Sequence, residues 1–344
     1  MRKITKHLNL LNMKIIKLSG MKVLMLSILF VSVMFSSCTK DDPIDEAQVL
    51  VEYLESADSP LMKDYVSTDM PAMITATDVN TLNQTGQIYI MDIRAAADFA
   101  IGHIENAVNV AAADVLTHIE GVDLTPYTKV AVVCYSGQTA SWATCLLRIS
   151  GFEKVYAMKW GMCSWHTDFA GSWPGNIKNT YATQFTSDAT AKGAEGDLPV
   201  LSTGFETGQE ILEARVNAVL AEGFAAAKIG AADVFATPAN YSVANYWAEG
   251  HYLDPGHIPG AMQYTPKASM SITADLKTLP ADETVVVYCY TGQTSANLAA
   301  YLRVLGYDAK SLLFGANGMI YDTLVDMDIT HWSDAYIMDY DFVQ

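Results

Sequence analysis

The stretch Val132–Ser141, VVCYSGQTAS, decides how this chain is read. An apolar, β-branched run ends in a cysteine, and a short uncharged loop carrying one glycine follows. A near copy, VYCYTGQTSA, occupies Val287–Ala296. The copies are not isolated. GHIENA at Gly102–Ala107 recurs as GHIPGA at Gly256–Ala261, an offset of 154, and LLRISGF from Leu146 recurs as YLRVLGY from Tyr301, an offset of 155. KVAVVCYSGQT from Lys129 recurs as TVVVYCYTGQT from Thr284, again at 155. A constant offset over three blocks means a duplicated domain.

Within each copy, strand and helix alternate. QIYIMDI (Gln87–Ile93) and KVAVVC are short continuous apolar runs, as expected of strands covered on both faces. After the cysteine loop, Ala140, Ala143, Leu146 and Leu147 fall at helical spacing, and Gly151, like Gly306 in the second copy, supplies a helix stop. The pattern predicts an α/β protein of two tandem domains, each a parallel β-sheet flanked by helices. The small, polar, glycine-bearing stretch 186–205 reads as the linker, between domain 1 at 46–185 and domain 2 at 206–344. The tail after Leu324 is acidic and aromatic, and the sequence assigns it no role.

Residues 1–37 read as a leader. They hold six Lys/Arg and no acid, and the apolar run Val23–Phe35 is short for a membrane span. The run ends in FSSC, which resembles a bacterial lipobox with Cys38 as the lipidated residue, followed by a short tether, 38–45. TKDD after it resembles an acidic surface-export tag. The expectation is a lipid-anchored protein of the cell envelope, at the outer membrane. Losing the leader removes six of the 21 basic residues and none of the 38 acidic ones, so the net charge falls from −17 to −23. Such a surface repels nucleic acid and anionic lipid, and any anion site has to be made locally. Cys134, Cys145, Cys163 and Cys289 show no CxxC spacing, and no histidine pair sits at zinc-ligand distance, so neither a metal nor another cofactor is expected.

In an open parallel sheet, ligands bind at the carboxyl ends of strands. Cys134 and Cys289 end strands there, each directly before a helix. Inward-turned loop N–H groups and the helix N-terminus favour a thiolate, so the sequence predicts a lowered cysteine pKa. The helix end alone is worth about 0.3–1 kcal/mol, which leaves most of the effect to the loop N–H groups. Gly137 and Gly292 let the backbone curl round the sulfur, and Thr139 and Thr294 are candidate hydroxyl donors to it.

IMDIRAAADFAIGHIENAVNV (Ile90–Val110) followed by VVCYSGQTASWATCLLRISGF closely resembles the rhodanese, or sulfurtransferase, domain. The Asp-x-Arg strand end, the Gly-His-Ile turn and the Cys-x-x-Gly-x-Thr loop stand in that family's order, and the likeness covers nearly all of the chain beyond the leader. It implies a cysteine that takes sulfane sulfur from a donor such as thiosulfate, becomes a persulfide, and passes the sulfur to cyanide or a thiol. Carried over, Cys134 and Cys289 are catalytic, with the loops Tyr135, Ser136, Gly137, Gln138, Thr139 and Tyr290, Thr291, Gly292, Gln293, Thr294. Arg94 matches the arginine that helps bind the anionic donor, with Asp92 as its support. Domain 2 has Asn245 and Trp247 at those places, so Cys134 is expected to be the better site. A basic residue inside the loop, found in some thiosulfate-specific members, is missing from both loops.

The remaining residues read as structural. His103 and His257 belong to the turn, Arg148 and Arg303 sit near helix C-termini facing solvent, Cys145 and Cys163 fill core, and Tyr135 and Tyr290 shape the pocket mouth. One alternative function is a non-catalytic rhodanese-like module that binds a protein partner or senses small sulfur species. Another is a phosphatase or arsenate reductase, whose longer loop closes on an arginine. Here Ala140 and Ser295 stand six residues after the cysteines.

Overall fold

The computed structural model describes residues 44–344, so the leader and Cys38 lie outside the described residues. In the first half, β1 (Met73–Ile74), β2 (Ile88–Asp92), β3 (Val108–Asn109), β4 (Lys129–Val133) and β5 (Val155–Met158) form a sheet in the order β1-β5-β4-β2-β3. The second half repeats it with β6 (Lys228–Ile229), β7 (Tyr241–Asn245), β8 (Met262–Gln263), β9 (Thr284–Tyr288) and β10 (Ala309–Leu312), ordered β6-β10-β9-β7-β8. Every pairing in both sheets is parallel. The continuous apolar runs have their reason in this order. β4 and β9 are central, and Val130–Val133 and Val285–Tyr288 are fully buried.

Each cysteine strand runs into a twelve-residue helix, Gln138–Ile149 in domain 1 and Gln293–Val304 in domain 2. Gly137 and Gly292 precede them in the left-handed region, at φ 86° and 75°. Gly151 and Gly306 lie just past their ends at φ 102° and 100°, as their sequence position predicts. These two loop helices pack on each other across the domain boundary. One side of each covers its own sheet and the other meets its twin, so both are buried nearly all round. Ala140, Ala143, Ala296, Ala299 and Ala300 line the shared core. Asn297 donates to the Ser141 carbonyl at 3.0 Å and accepts from the Tyr65 hydroxyl at 3.1 Å.

The stretch 186–205 is not a loose tether. Thr186 exchanges both backbone bonds with His257 at 2.9 Å, Thr190 bridges to Met262, and Gly196 donates to the Lys277 carbonyl. Its far end holds domain 1, because the Glu46 carboxylate accepts from Thr203 and Gly204. The acidic aromatic tail also has a place. It leaves domain 2 and runs along domain 1: Met338 donates to Ser164, Tyr340 to Trp165, and Val343 pairs with His103. Trp165 donates its indole N–H to the Asp341 carbonyl at 2.9 Å.

Two arginines depart from their expected solvent roles. Arg148 is 2 % exposed and donates to the Glu153 and Val155 carbonyls and to the Asp69 carboxylate. Arg303 pairs with Glu222 and Asp308. Each arginine thus binds groups of its own domain. No helix among the described residues is long and apolar enough to cross a membrane.

Candidate active site

Cys134 follows β4 directly, and β2, its neighbour, ends at Asp92 opposite Val133. The cysteine and the Asp-x-Arg pair therefore sit at the same carboxyl edge of the sheet. The left-handed turn at Gly137 starts the helix and aims backbone N–H groups at the sulfur. Gly137 donates to Cys134 Sγ at 3.2 Å and Ala140 at 3.3 Å. No bond joins Thr139 to the sulfur; the first helical turn presents Ala140 N–H there instead. In domain 2, Ser295 takes that place with its N–H at 3.3 Å and its hydroxyl at 3.6 Å from Cys289 Sγ. The hydroxyl beside the sulfur is thus Ser295, not Thr294. The sixth position after the cysteine was the available signal.

The expected lowering of the thiol pKa is overturned for Cys134. Burial pushes it up, since the residue is only 2 % exposed. The N–H groups of Ala140, Gly137 and Ser136 pull it down, the charge of Asp92 adds to the rise, and burial wins. The sequence shows the N–H groups but not the depth of the sulfur. The two cysteines outside the loops behave as core. Cys145 and Cys163 are fully buried, and burial pushes the Cys163 thiol up to about 11.

Arg94 is 4 % exposed and held in a fork. Its Nε lies 3.0 Å from both Asp92 carboxylate oxygens, and its Nη2 donates to Asp92 at 2.6 Å and to the Gly102 carbonyl at 2.7 Å. Nη1 makes no hydrogen bond among the described residues. Asp92 therefore holds the guanidinium, which is fixed rather than free to swing. With Asp98, Tyr135, Phe169 and Phe342, Arg94 lines a cavity of about 420 Å³. Tyr135, 42 % exposed, donates to Asp98 and forms part of this wall. Phe342 comes from the tail and packs edge-on against Phe169, with ring centres 4.9 Å apart. The sequence gives no signal for this wall, because it is built by a segment some 200 residues away from the cysteine loop.

Domain 2 has the same frame with different chemistry. Asn245 stands opposite Tyr288, as Asp92 stands opposite Val133, and donates to the Tyr288 hydroxyl at 2.8 Å. Trp247 fills the place of Arg94 and stacks on Tyr290 at 4.9 Å. The Tyr290 hydroxyl meets His251 Nδ1 at 2.7 Å, and burial pushes its pKa up to about 12. The turn histidines face backbone: His103 Nδ1 meets the Phe99 carbonyl, and His257 meets those of Tyr252 and Asp188. No group of three or more His, Cys, Asp or Glu side chains among the described residues could hold a metal ion.

Comparison with known proteins agrees with this frame. The profile of the Rhodanese-like domain matches residues 75–168 and again 240–319. Thiosulfate sulfurtransferase GlpE of Pseudomonas fluorescens is 32 % identical over 96 residues, which are 28 % of this chain and 85 % of that protein. The Shewanella oneidensis protein of the same name is 31 % identical over 85 residues, 25 % of this chain and 82 % of that protein. Among solved structures, a rhodanese-related protein from Thermoplasma volcanium matches with a TM-score of 0.25 and 21 % identity, over 27 % of this chain and 89 % of that one.

Proposed function

This chain belongs to the rhodanese-like domain family, and from that premise we propose that it is a sulfurtransferase carrying sulfane sulfur on Cys134. The observation that carries the reading is the Cys134 sulfur facing the N–H groups of Gly137 and Ala140, in the same domain as the fixed cation of Arg94. In the proposed cycle the Cys134 thiolate attacks the outer sulfur of a donor such as thiosulfate. The donor S–S bond breaks, its electron pair leaves on sulfite, and the transferred sulfur stays on Cys134 as a persulfide. Cyanide or a thiolate then attacks that outer sulfur, the persulfide bond breaks, and the Cys134 thiolate returns. The loop N–H groups face negative sulfur throughout the cycle, and a preorganised donor set needs no rearrangement to serve it. Arg94 supplies positive charge for an anionic donor in a chain that is strongly acidic overall. Cys289, with Trp247 where domain 1 has arginine, is the weaker site for such a donor.

Thiosulfate-to-cyanide transfer tests this in the full chain as wild type, Cys134→Ser and Cys289→Ser. Activity lost in Cys134→Ser and kept in Cys289→Ser is expected; the reverse would move the function to domain 2. The burial of Cys134 and its raised pKa favour a second reading, a non-catalytic module that binds a partner or senses sulfur species. Absence of sulfur uptake by every form, even from polysulfide, would favour it.

We also propose export to the cell envelope, with residues 1–37 removed and Cys38 acylated at the outer membrane. The basic, acid-free leader and the FSSC sequence support this. Cys38→Ser should release the chain from the membrane fraction, and a wild-type chain that keeps an unprocessed N-terminus would exclude it.

A further inference from the structure

Each loop glutamine reaches out of its own domain. Gln293, in the Cys289 loop, is 1 % exposed, and its Oε1 accepts from the backbone N–H of Trp160 in domain 1 at 2.9 Å. Gln138, in the Cys134 loop, is 2 % exposed, and its Oε1 accepts from the N–H of Phe314 in domain 2 at 2.8 Å. The exchange is reciprocal, and its two donor sites are equivalent: Trp160 and Phe314 both stand in the left-handed region, at φ 67° and 60°.

What Trp160 leads into gives the contact its consequence. Met162 N–H donates to the Cys134 carbonyl at 2.8 Å, and Cys163 N–H donates to the Tyr135 carbonyl at 3.2 Å. Gly161 lies so close that a Cβ on it would come within 2.4 Å of the Cys134 carbonyl oxygen. Residues 160–163 therefore clamp the back of the Cys134 loop, and Gln293 pins the first of them. The same amide also backs the turn itself, since a Cβ on Gly137 would come within 2.4 Å of Gln293 Oε1. Domain 2 mirrors every contact. Ala316 and Asn317 donate to the Cys289 and Tyr290 carbonyls at 3.0 Å, and a Cβ on Gly292 would meet Gln138 Oε1 at 2.4 Å.

We propose that Gln293 is a positioning residue for Cys134 and Gln138 one for Cys289, so that each cysteine loop is completed by the other domain. Without its acceptor, the buried Trp160 N–H seeks a new partner and the segment 160–163 shifts. The carbonyls of Cys134 and Tyr135 shift with it, and the Gly137 and Ala140 N–H groups lose their aim at the sulfur. Small displacements of this kind cost catalysis more than binding.

The inference rests on the reading of Cys134 as the sulfur carrier, and the test separates the two. In the full chain, Gln293→Met removes the acceptor at nearly constant volume, and Gln293→Glu keeps one. Asn297→Leu removes the other buried side-chain bonds of the same helix across the interface without touching Trp160. Two quantities are read: kcat and KM for thiosulfate-to-cyanide transfer, and the pH profile of Cys134 alkylation by iodoacetamide, located by peptide mass. Gln293→Met is expected to lower kcat about tenfold with KM little changed, and to move the alkylation profile to higher pH. Gln293→Glu should recover most of both. Asn297→Leu should lower the melting temperature and leave both readouts in place. Should Gln293→Met not fold, Gln293→Asn, too short to reach Trp160, replaces it with the same expectation. Wild-type kcat and profile in the acceptor-free variant would overturn the proposal, as would an equal effect of Asn297→Leu. If the wild type itself transfers no sulfur, the sulfurtransferase reading fails, while the alkylation profiles still decide the role of Gln293.

Discussion

At the scale of single residues, Cys134 is governed by two opposed effects. Burial holds the proton on, and the N–H groups of Ala140, Gly137 and Ser136 favour its loss, with burial the stronger. A raised pKa means that at neutral pH the thiolate fraction lies below that of a free cysteine. Reactivity should therefore keep climbing as pH rises past the ordinary cysteine range instead of levelling off below it. Alkylation rates of Cys134 between neutral and strongly alkaline pH check this, and a plateau at mildly acidic pH would contradict it. Arg94 is settled differently. Its fork onto Asp92 and Gly102 fixes where positive charge stands. Trp247 puts an apolar ring at the matching place in domain 2, a difference already legible in the sequence because Asn245 and Trp247 stand where the duplicated pattern has Asp92 and Arg94.

At the scale of elements, the unit that matters is strand, loop and helix. The apolar runs, the loop glycine and the glycine stop identify β4, the left-handed turn and the helix Gln138–Ile149 from local chemistry alone. Gly137 cannot be replaced cheaply. Its φ of 86° disfavours any side chain by about 1–2 kcal/mol, and a Cβ would also press on Gln293 Oε1. Gly137→Ala should therefore lose more than about 2 kcal/mol in denaturant unfolding, with Gly292→Ala similar. Less legible was what the outer face of each helix meets. Ser141 and Asn297 carry no sign of a partner in the sequence, and only the tertiary arrangement brings the Asn297 amide onto the Ser141 carbonyl of the twin helix. Arg148 and Arg303 read as solvent-facing from their place near the helix ends, whereas they bind carbonyls and carboxylates of their own domains.

At the scale of the whole molecule, the duplication was plain in the sequence and its closure was not. Three connections tie the halves together: the loop helices back to back, the stretch 186–205 laid along domain 2 and ending on Glu46, and the tail running along domain 1. The last two have no periodic signal, because both run in extended or irregular chain, which hydrophobic patterning does not record. The tail brings Phe342 into the cavity beside Arg94, and Trp332 stacks on Trp173 between the domains. A site that the sequence places wholly in domain 1 is thus walled and backed by parts of domain 2. The central claim remains the chemistry of one sulfur atom. The most direct measurement is the mass of the full chain after exposure to thiosulfate and removal of excess donor, with the modified peptide identified. One added sulfur atom on the peptide holding Cys134, lost on addition of cyanide, is the predicted result. An unmodified Cys134 with sulfur elsewhere, or nowhere, would contradict it.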